Sequence, residues 1–302
     1  MHNSDSHDVA LTVGTFDGIH LGHQALLSET QRIAGRRGLT SAAYTYRIPP
    51  KRYFTGSWPQ LLLPPEEKIR ALNRYVQDVV VHDFEEVKDY SPAKFVEEVL
   101  VRELQVNAII VGTDWRFGAD RTGSLDELYT LAKDRFTIHP QEQVKKNGRI
   151  ISSTWIRREL QQGNVKLVRG LLGHPPMIYG KVVSGDKIGR NIGFPTANLK
   201  VDKRVVTPYA GSYAAIVTVS DKCYPGVVYV GAKPTFNKAK TRVEVHIIDF
   251  DNDIYGENVE LELIRFISSS KRYRNKAELK RAIEGIVERA RDVLAKEIQV
   301  DG

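Results

Sequence analysis

The chain has 302 residues, of which 41% are hydrophobic and 27% charged, and a formal net charge of +7 at pH 7. That is the composition of a soluble globular protein, long for one core and comfortable for two domains. No apolar run approaches the roughly 20 residues of a membrane-spanning helix, and Cys223, the one cysteine, excludes an internal disulfide and a cysteine-built zinc site.

Met1–Asp8 is polar and lacks a hydrophobic segment, so it reads as a frayed tail rather than a signal peptide. A cytoplasmic location is the expectation. The positive balance fits anionic small ligands, nucleic acid, or no particular partner. Its densest clusters, Lys145-Lys146…Arg149…Arg157-Arg158 and Lys271-Arg272-Tyr273-Arg274, come with no recognition module, so no nucleic-acid partner is expected.

Val9–Val13 is apolar and bounded by Gly14, which reads as a buried strand. Gly14–His23, Gly-Thr-Phe-Asp-Gly-Ile-His-Leu-Gly-His, follows it, and Gln24 to Arg36 is helix-compatible. A strand, a glycine-bearing turn and a helix N-terminus form an anion site, because free N–H groups and the helix dipole face the ligand. His20 and His23 are three apart and project to one side of a first helical turn. Gly22 leaves room for a phosphate. Two histidines at this spacing are, taken alone, more often surface or core residues; the strand and glycines around them favour a nucleoside triphosphate. The spacing is neither a Walker A loop nor a dinucleotide fingerprint.

Leu39–Tyr46 is a second strand. Arg47–Pro65 holds Pro49, Pro50, Pro59, Pro64 and Pro65 and reads as a long irregular loop, either a lid or a passive connection. Pro65 to Arg74 starts a helix with Glu66 and Glu67 in its first turn. Val76–His82 is a third strand, Ser91-Pro92 opens another helix, and Asn107–Gly112 is a buried strand. Apolar strands alternating with helices indicate a parallel sheet covered on both faces, whose ligands bind at the carboxyl ends of strands. Those ends carry Gly14–His23 and Gly112–Gly118. There, Asp114 suits a ribose or base edge, and Trp115 and Phe117 suit a planar ring or the core.

In Ile150–Leu160, Ser152, Ser153 and Thr154 open a helix and Arg157 follows one turn on. Capping explains two of the hydroxyls; the set also suits a phosphate, which Arg157 binds bidentately. Glycines and prolines then break the pattern, helix signals vanish, and the domain boundary falls near Gly173. Ile178–Ser184, Gly211–Ser220, Tyr224–Ala232, Arg242–Phe250 and Val259–Ile267 read as strands of a barrel or sandwich. Asn275 to Glu297 reads as a helix packed on its side.

Gly185, Lys187, Gly189 and Arg190 form a basic, glycine-bearing turn suited to phosphates. In Gly193-Phe194-Pro195-Thr196-Ala197-Asn198, the Thr196 hydroxyl and Asn198 amide oxygen face the same way in an extended chain. They suit Mg²⁺ carried by a triphosphate, or form an ordinary turn. A lone strand Glu244 commonly faces solvent; facing a cavity, it suits a general base.

Taken together and in order, Gly14–His23, Gly112–Gly118 with Arg121, Ile151–Arg157, Gly193–Asn198, Lys233-Pro234-Thr235-Phe236 and Glu244…Asp249-Phe250…Asp253-Ile254-Tyr255-Gly256 resemble the prokaryotic bifunctional riboflavin kinase/FMN adenylyltransferases. The resemblance implies a Rossmann-like α/β nucleotidyltransferase domain over 1–172 and a kinase domain over 173–302, a six-stranded antiparallel barrel with a packed C-terminal helix. It implies ATP as co-substrate, Mg²⁺, and riboflavin and FMN as partners, with no membrane and with the chain a monomer or weak homo-oligomer.

Residue by residue, the resemblance implies that His20 and His23 bind ATP phosphates, that Ser152, Ser153, Thr154 and Arg157 hold the phosphates that leave as pyrophosphate, and that Gly14, Phe16, Asp17, Gly22 and Asp114 also meet ATP. Trp115, Phe117 and Arg121 would meet the flavin. In the barrel, Gly185, Lys187, Gly189, Arg190, Phe194 and Pro195 would meet ATP, Thr196 and Asn198 the metal, and Glu244 would be the base. The chain departs from the family pattern at Tyr46-Arg47-Ile48-Pro49-Pro50, which lacks a histidine, and at Asp114-Trp115. It departs again at Ile267–Tyr273, where Ser268 and Ser270 replace an Arg and a Glu, and at Ala282–Ile286. Those two serines leave open an alternative, an adenylyltransferase alone with a kinase-impaired flavin-binding barrel.

Overall fold

The apolar run Val9–Val13 (β1) is the middle strand of a five-stranded sheet. The computed structural model describes residues 8–56, 60–185, 193–233 and 240–298. After β1 come α1 (Leu21–Arg37), β2 (Thr40–Tyr46), α2 (Lys51–Thr55), α3 (Pro65–Leu72), β3 (Asp78–His82), α4 (Phe84–Val87), α5 (Pro92–Lys94), β4 (Val106–Gly112), α6 (Leu125–Ala132) and β5 (Thr137–Gln141). The strand order is β3-β2-β1-β4-β5, and every pairing is parallel. The chain runs outward from β1 to β3, then returns to β4 on the other side of β1. That reversal is a topological switch point, where a crevice opens at the strands' carboxyl ends.

Helices cover both faces, which is why the strands read as unbroken apolar runs. Leu11, Tyr44, Ile109 and Val111 pack with Phe95, Val99, Leu100 and Leu128 on one face, and Ala10, Ala108 and Ile110 meet Ile33 and Ala34 of α1 on the other. Ser91 caps α5, its hydroxyl accepting the Lys94 N–H at 3.2 Å, with Pro92 at the first position. The helix then continues as a π-helical stretch, Phe95–Glu103. α4, α6 and β5 add to the elements read from the sequence, and α2 is a short helix inside the proline-rich loop. A hairpin, β6 (Lys145–Lys146) and β7 (Arg149–Ile150), follows β5.

The remaining elements are α7 (Ser153–Gln161), α8 (Val165–Leu172), β8 (Met177–Val183), β9 (Ala197–Val201), β10 (Gly211–Val219), β11 (Lys222–Lys233), β12 (Lys240–Ile247), β13 (Asn258–Ser269) and α9 (Lys276–Ile298). The strands close a six-stranded barrel in the order β10-β11-β12-β9-β8-β13, antiparallel throughout. Closure removes exposed sheet edges. Inward residues alternate along the strands, with Tyr213, Ala215 and Val217 facing Val228, Val243, Val245, Leu261 and Leu263. α9 lays Ile286, Val287, Ala290 and Leu294 on the outward Ala214, Val227, Ile248 and Ile264. Burying a side chain such as Leu294 stabilises by roughly 1.5–3 kcal/mol.

One sequence expectation changes here. Helix signals do not vanish after Gln161, because α8 buries a stripe of Val165, Val168, Leu171 and Leu172, carries Gly170 inside it, and ends at Gly173 with φ 81°. The barrel has the six strands that the resemblance implies; the one that the residue pattern did not mark is β9, whose Ala-Asn-Leu-Lys-Val sequence shows little β-branched character. By internal contacts the chain divides into Met1–Pro59 with Pro65–Ser153, and Gln60–Pro64 with Thr154–Gly302. Among the described residues, no helix is long and apolar enough to cross a membrane.

Candidate active sites

The turn after β1 is built on unusual backbone. Phe16 (φ 49°) and Ile19 (φ 41°) lie in the left-handed region beside Gly18 (φ 84°). For a bulky or β-branched residue this conformation costs on the order of 1–3 kcal/mol, and it persists where its surroundings hold it. Gly14 N–H donates to Tyr44 O at 3.0 Å. The fully buried Phe16 ring lies under Gly14, where a Cβ would stand 3.1 Å from it. The Ser153 hydroxyl donates to Asp17 O at 2.9 Å. Phe16 and Ser153 thus shape the turn from beneath.

α1 starts at Leu21, three residues before the expected Gln24, and His20 is its N-cap. It is extended (φ −65°, ψ 169°), and its Nδ1 accepts the His23 N–H at 3.3 Å. With Nδ1 accepting, the neutral ring carries its proton on Nε2. The His20 and His23 rings stack at a centroid distance of 3.7 Å and an angle of 14°. Burial lowers the His20 pKa to about 4. His23 is lowered well below its usual value by burial, then by His20 and Lys68. Two stacked, desolvated imidazoles cannot both take protons. The pair therefore presents neutral N–H donors at a helix N-terminus, where the helix dipole adds positive potential. A Cβ on Gly22 would stand 3.2 Å from the His20 ring.

At the carboxyl end of β4, Asp114 is exposed. Trp115 stacks on Phe117 at 4.6 Å and 13°. Phe117 is 5% exposed and joins the sheet's core cluster, so its ring backs Trp115. Arg121 is exposed with φ 59°. Ser152 is partly buried just before α7. On α7, Thr154 is exposed and accepts from Arg157 Nη2 at 3.1 Å.

In the barrel, Asn198 on β9 is the register partner of Glu244 on β12 and of Val183 on β8. Gly185 lies against Asn198, since a Cβ there would stand 2.0 Å from the amide nitrogen. His246 Nδ1–H donates to Pro195 O at 2.8 Å, and the Phe194 ring meets His246 edge-on at 5.5 Å. Both contacts fix the segment that delivers Thr196. A cavity of about 610 Å³ is lined by Gly185, Thr196, Asn198, Asp251, Asp253 and Tyr255, among others. Val245 and Ile247 also line it, from the inward row of β12. Glu244 stands on the outward row between Arg242, its ion-pair partner, and His246, and is not in the cavity wall. Its outward neighbour on β11 is Tyr229, whose hydroxyl is 2.8 Å from Ser270 Oγ. Lys187, Gly189 and Arg190, like Pro234, Thr235 and Phe236, lie outside the described residues.

The FAD synthetase family model matches residues 2–155, and the riboflavin kinase model matches residues 172–294. A Haemophilus influenzae protein described as a bifunctional riboflavin kinase/FMN adenylyltransferase is 36% identical over 298 residues, 96% of either chain. The chain belongs to the bifunctional riboflavin kinase/FMN adenylyltransferase family. The Escherichia coli K12 member is 36% identical over 278 residues, covering 90% of this chain and 88% of its own. A Streptococcus pneumoniae crystal structure described as a macrolide-efflux protein is also similar. Its TM-score is 0.87, with 30% identity over 95% of each chain. Matches to both family models favour the two-activity reading over an adenylyltransferase with an impaired barrel.

Three residues at these sites escaped the sequence reading. Lys68 is 5% exposed beneath the histidine turn; its signal is its place in the buried stripe Pro65, Lys68, Leu72 of α3. His246 lies two residues beyond Glu244 on the same outward row. Asp251 belongs to a loop that joins Asn198 in the cavity wall only once the barrel has closed.

Proposed function

We propose that the chain carries out both reactions its family is named for, phosphorylating riboflavin with ATP to FMN and adenylylating FMN with ATP to FAD and pyrophosphate. We assign adenylyl transfer to residues 1–172 and the kinase to 173–302, in a cytoplasmic monomer or weak homo-oligomer without nucleic-acid partners. The observation that carries the reading is the stacked His20/His23 pair at the N-terminus of α1, at the sheet's switch point.

In adenylyl transfer, a phosphate oxygen of FMN attacks the α-phosphorus of ATP, and the bond to pyrophosphate breaks. No protein nucleophile is required, so the chain supplies position and electrostatics. The Nε2–H of His20 and the backbone N–H groups of the turn would hold the α-phosphate as charge builds on it. Gly14, Phe16, Asp17 and Gly22 shape the backbone that approaches it. Arg157 with Thr154, and Ser152 and Ser153 at the start of α7, would take the phosphates that leave. Asp114 would hold the nucleoside, and Trp115, backed by Phe117, would offer its face to the flavin, with Arg121 near its phosphate.

In the kinase reaction, Glu244, which lies outside the cavity wall but beside its lining residue Asn198 on the outward row, would accept the proton of the riboflavin 5′-hydroxyl as its oxygen attacks the γ-phosphorus, and ADP leaves. Gly185, Phe194 and Pro195 shape the ATP approach. The Thr196 hydroxyl and Asn198 amide oxygen, with Asp251 and Asp253 in the same cavity wall, form a hard oxygen set that fits Mg²⁺. Bound there, Mg²⁺ would neutralise phosphate charge.

The test is product analysis by chromatography with each flavin supplied separately. Riboflavin, ATP and Mg²⁺ should give FMN and then FAD, and FMN should give FAD with stoichiometric pyrophosphate. Failure to form FAD from FMN would remove the first site's assignment, and failure to form FMN would restore the kinase-impaired alternative.

A further inference from the structure

Lys68 projects from α3 into the first unit's core at a stripe position that a hydrophobic residue usually fills. A buried lysine is rare unless its charge and donors are satisfied. Here all three ammonium protons have oxygen acceptors: Tyr46 O at 2.7 Å, Thr45 Oγ1 at 3.0 Å and Thr15 O at 3.3 Å. The Thr45 hydroxyl itself donates to Thr15 O at 3.4 Å. Two of these acceptors lie at the carboxyl end of β2, and the third lies inside the strained turn, one residue before Phe16.

We infer that Lys68 is a positioning residue for adenylyl transfer, a buried cross-link that holds the Thr15–His20 turn in its left-handed conformation against β2. The inference rests on the assignment of that turn to the adenylyl-transfer site. Lys68 is not a phosphate ligand, because its protons are committed to the protein and it is 5% exposed.

Left-handed Phe16 and Ile19 relax unless the turn is tied on more than one side. Gly14 N–H to Tyr44 O ties its first residue, Ser153 ties Asp17, and Lys68 ties Thr15 between them. The ammonium also acts on the catalytic pair through its field, since it is one of the charges that keep His23 neutral. Burial lowers the Lys68 pKa to about 8, with Asp17 opposing the shift, so the group remains mainly cationic at pH 7. Without the cross-link, the turn moves and His20 moves with it. A displacement of about 1 Å at a reacting centre costs on the order of 100-fold in rate.

The experiment uses the full chain with Lys68→Met, Thr45→Val and His20→Ala, assayed with FMN and with riboflavin. For Lys68→Met, kcat of FAD formation should fall about 30-fold or more, with KM for ATP changed by less than about threefold. FMN formation from riboflavin should stay within about twofold. Thr45→Val, which removes one acceptor, should lower the same kcat by about fivefold. An unchanged kcat in Lys68→Met, or a rise in KM for ATP alone, overturns the inference; the latter would make Lys68 a phosphate ligand. Should Lys68→Met lose its fold by circular dichroism, Thr45→Val decides: a lowered kcat supports the cross-link and an unchanged one overturns it. Retention of FAD formation in His20→Ala would instead sink the site assignment, leaving the two failures distinguishable.

Discussion

Asn198 and Glu244 are register partners on neighbouring antiparallel strands, β9 and β12. The pairing sets an amide and a carboxylate side by side on the outward row of the barrel. His246, next on that row, holds Pro195 O at 2.8 Å. One strand therefore carries the proposed base and also anchors the segment that leads into Thr196 and Asn198. The proposed proton acceptor and the proposed metal-holding Asn198 thus stand on one rigid ladder.

Glu244→Gln keeps the shape and removes the base. Riboflavin phosphorylation should fall by about 10²- to 10⁴-fold in kcat, the usual contribution of a positioned general base. FAD formation from FMN should be unchanged. Kinase activity within about threefold of wild type would remove Glu244 from the mechanism and leave it as the ion-pair partner of Arg242.

Gly185 has no room for a side chain, since a Cβ would stand 2.0 Å from the Asn198 amide nitrogen. Gly185→Ala should displace Asn198 and lower kinase kcat/KM for ATP by about tenfold or more, a small misplacement of a ligand-holding group. Steady-state kinetics with varied ATP reads this directly. A wild-type value would show that Asn198 can shift without cost.

The strand, turn and helix around Gly14–His23 were legible because glycine spacing and apolar runs are local signals. So was the Ser91 cap. β9 was not, because Ala197–Val201 becomes a strand through its two neighbours, β8 and β12, and not through its own propensity. Lys68 was hidden for the same reason, since a lysine in a helix reads as solvated until its three acceptors are placed around it. Phe117 and Trp115 look alike in sequence, and only packing makes one core and leaves the other partly accessible. Which side of β12 faces the cavity could not be read from alternation alone; closure of the barrel sets Val245 inward and Glu244 outward.

The neutral histidines predict a stability dependence on pH. His20 is lowered to about 4 in the folded chain, against about 6.5 when unfolded. Between these values the unfolded chain binds a proton that the folded chain refuses. The contribution is complete above about pH 6.5 and is lost as pH falls toward 4, on the order of 3 kcal/mol for this group. Scanning calorimetry should show Tm falling over this window, and His20→Gln should show a shallower fall. Equal slopes for the two proteins would mean that His20 is protonated in the folded state.

The most direct test of two independent sites on one chain is a crossed assay of His20→Ala and Glu244→Gln, each given riboflavin and FMN separately with ATP and Mg²⁺. The account predicts that His20→Ala forms FMN at the wild-type rate and accumulates it, with FAD formation down by about 10²-fold or more. Glu244→Gln should show the reverse, forming FAD from FMN but little FMN from riboflavin. Loss of both activities in either variant, or retention of FAD formation by His20→Ala, would contradict it.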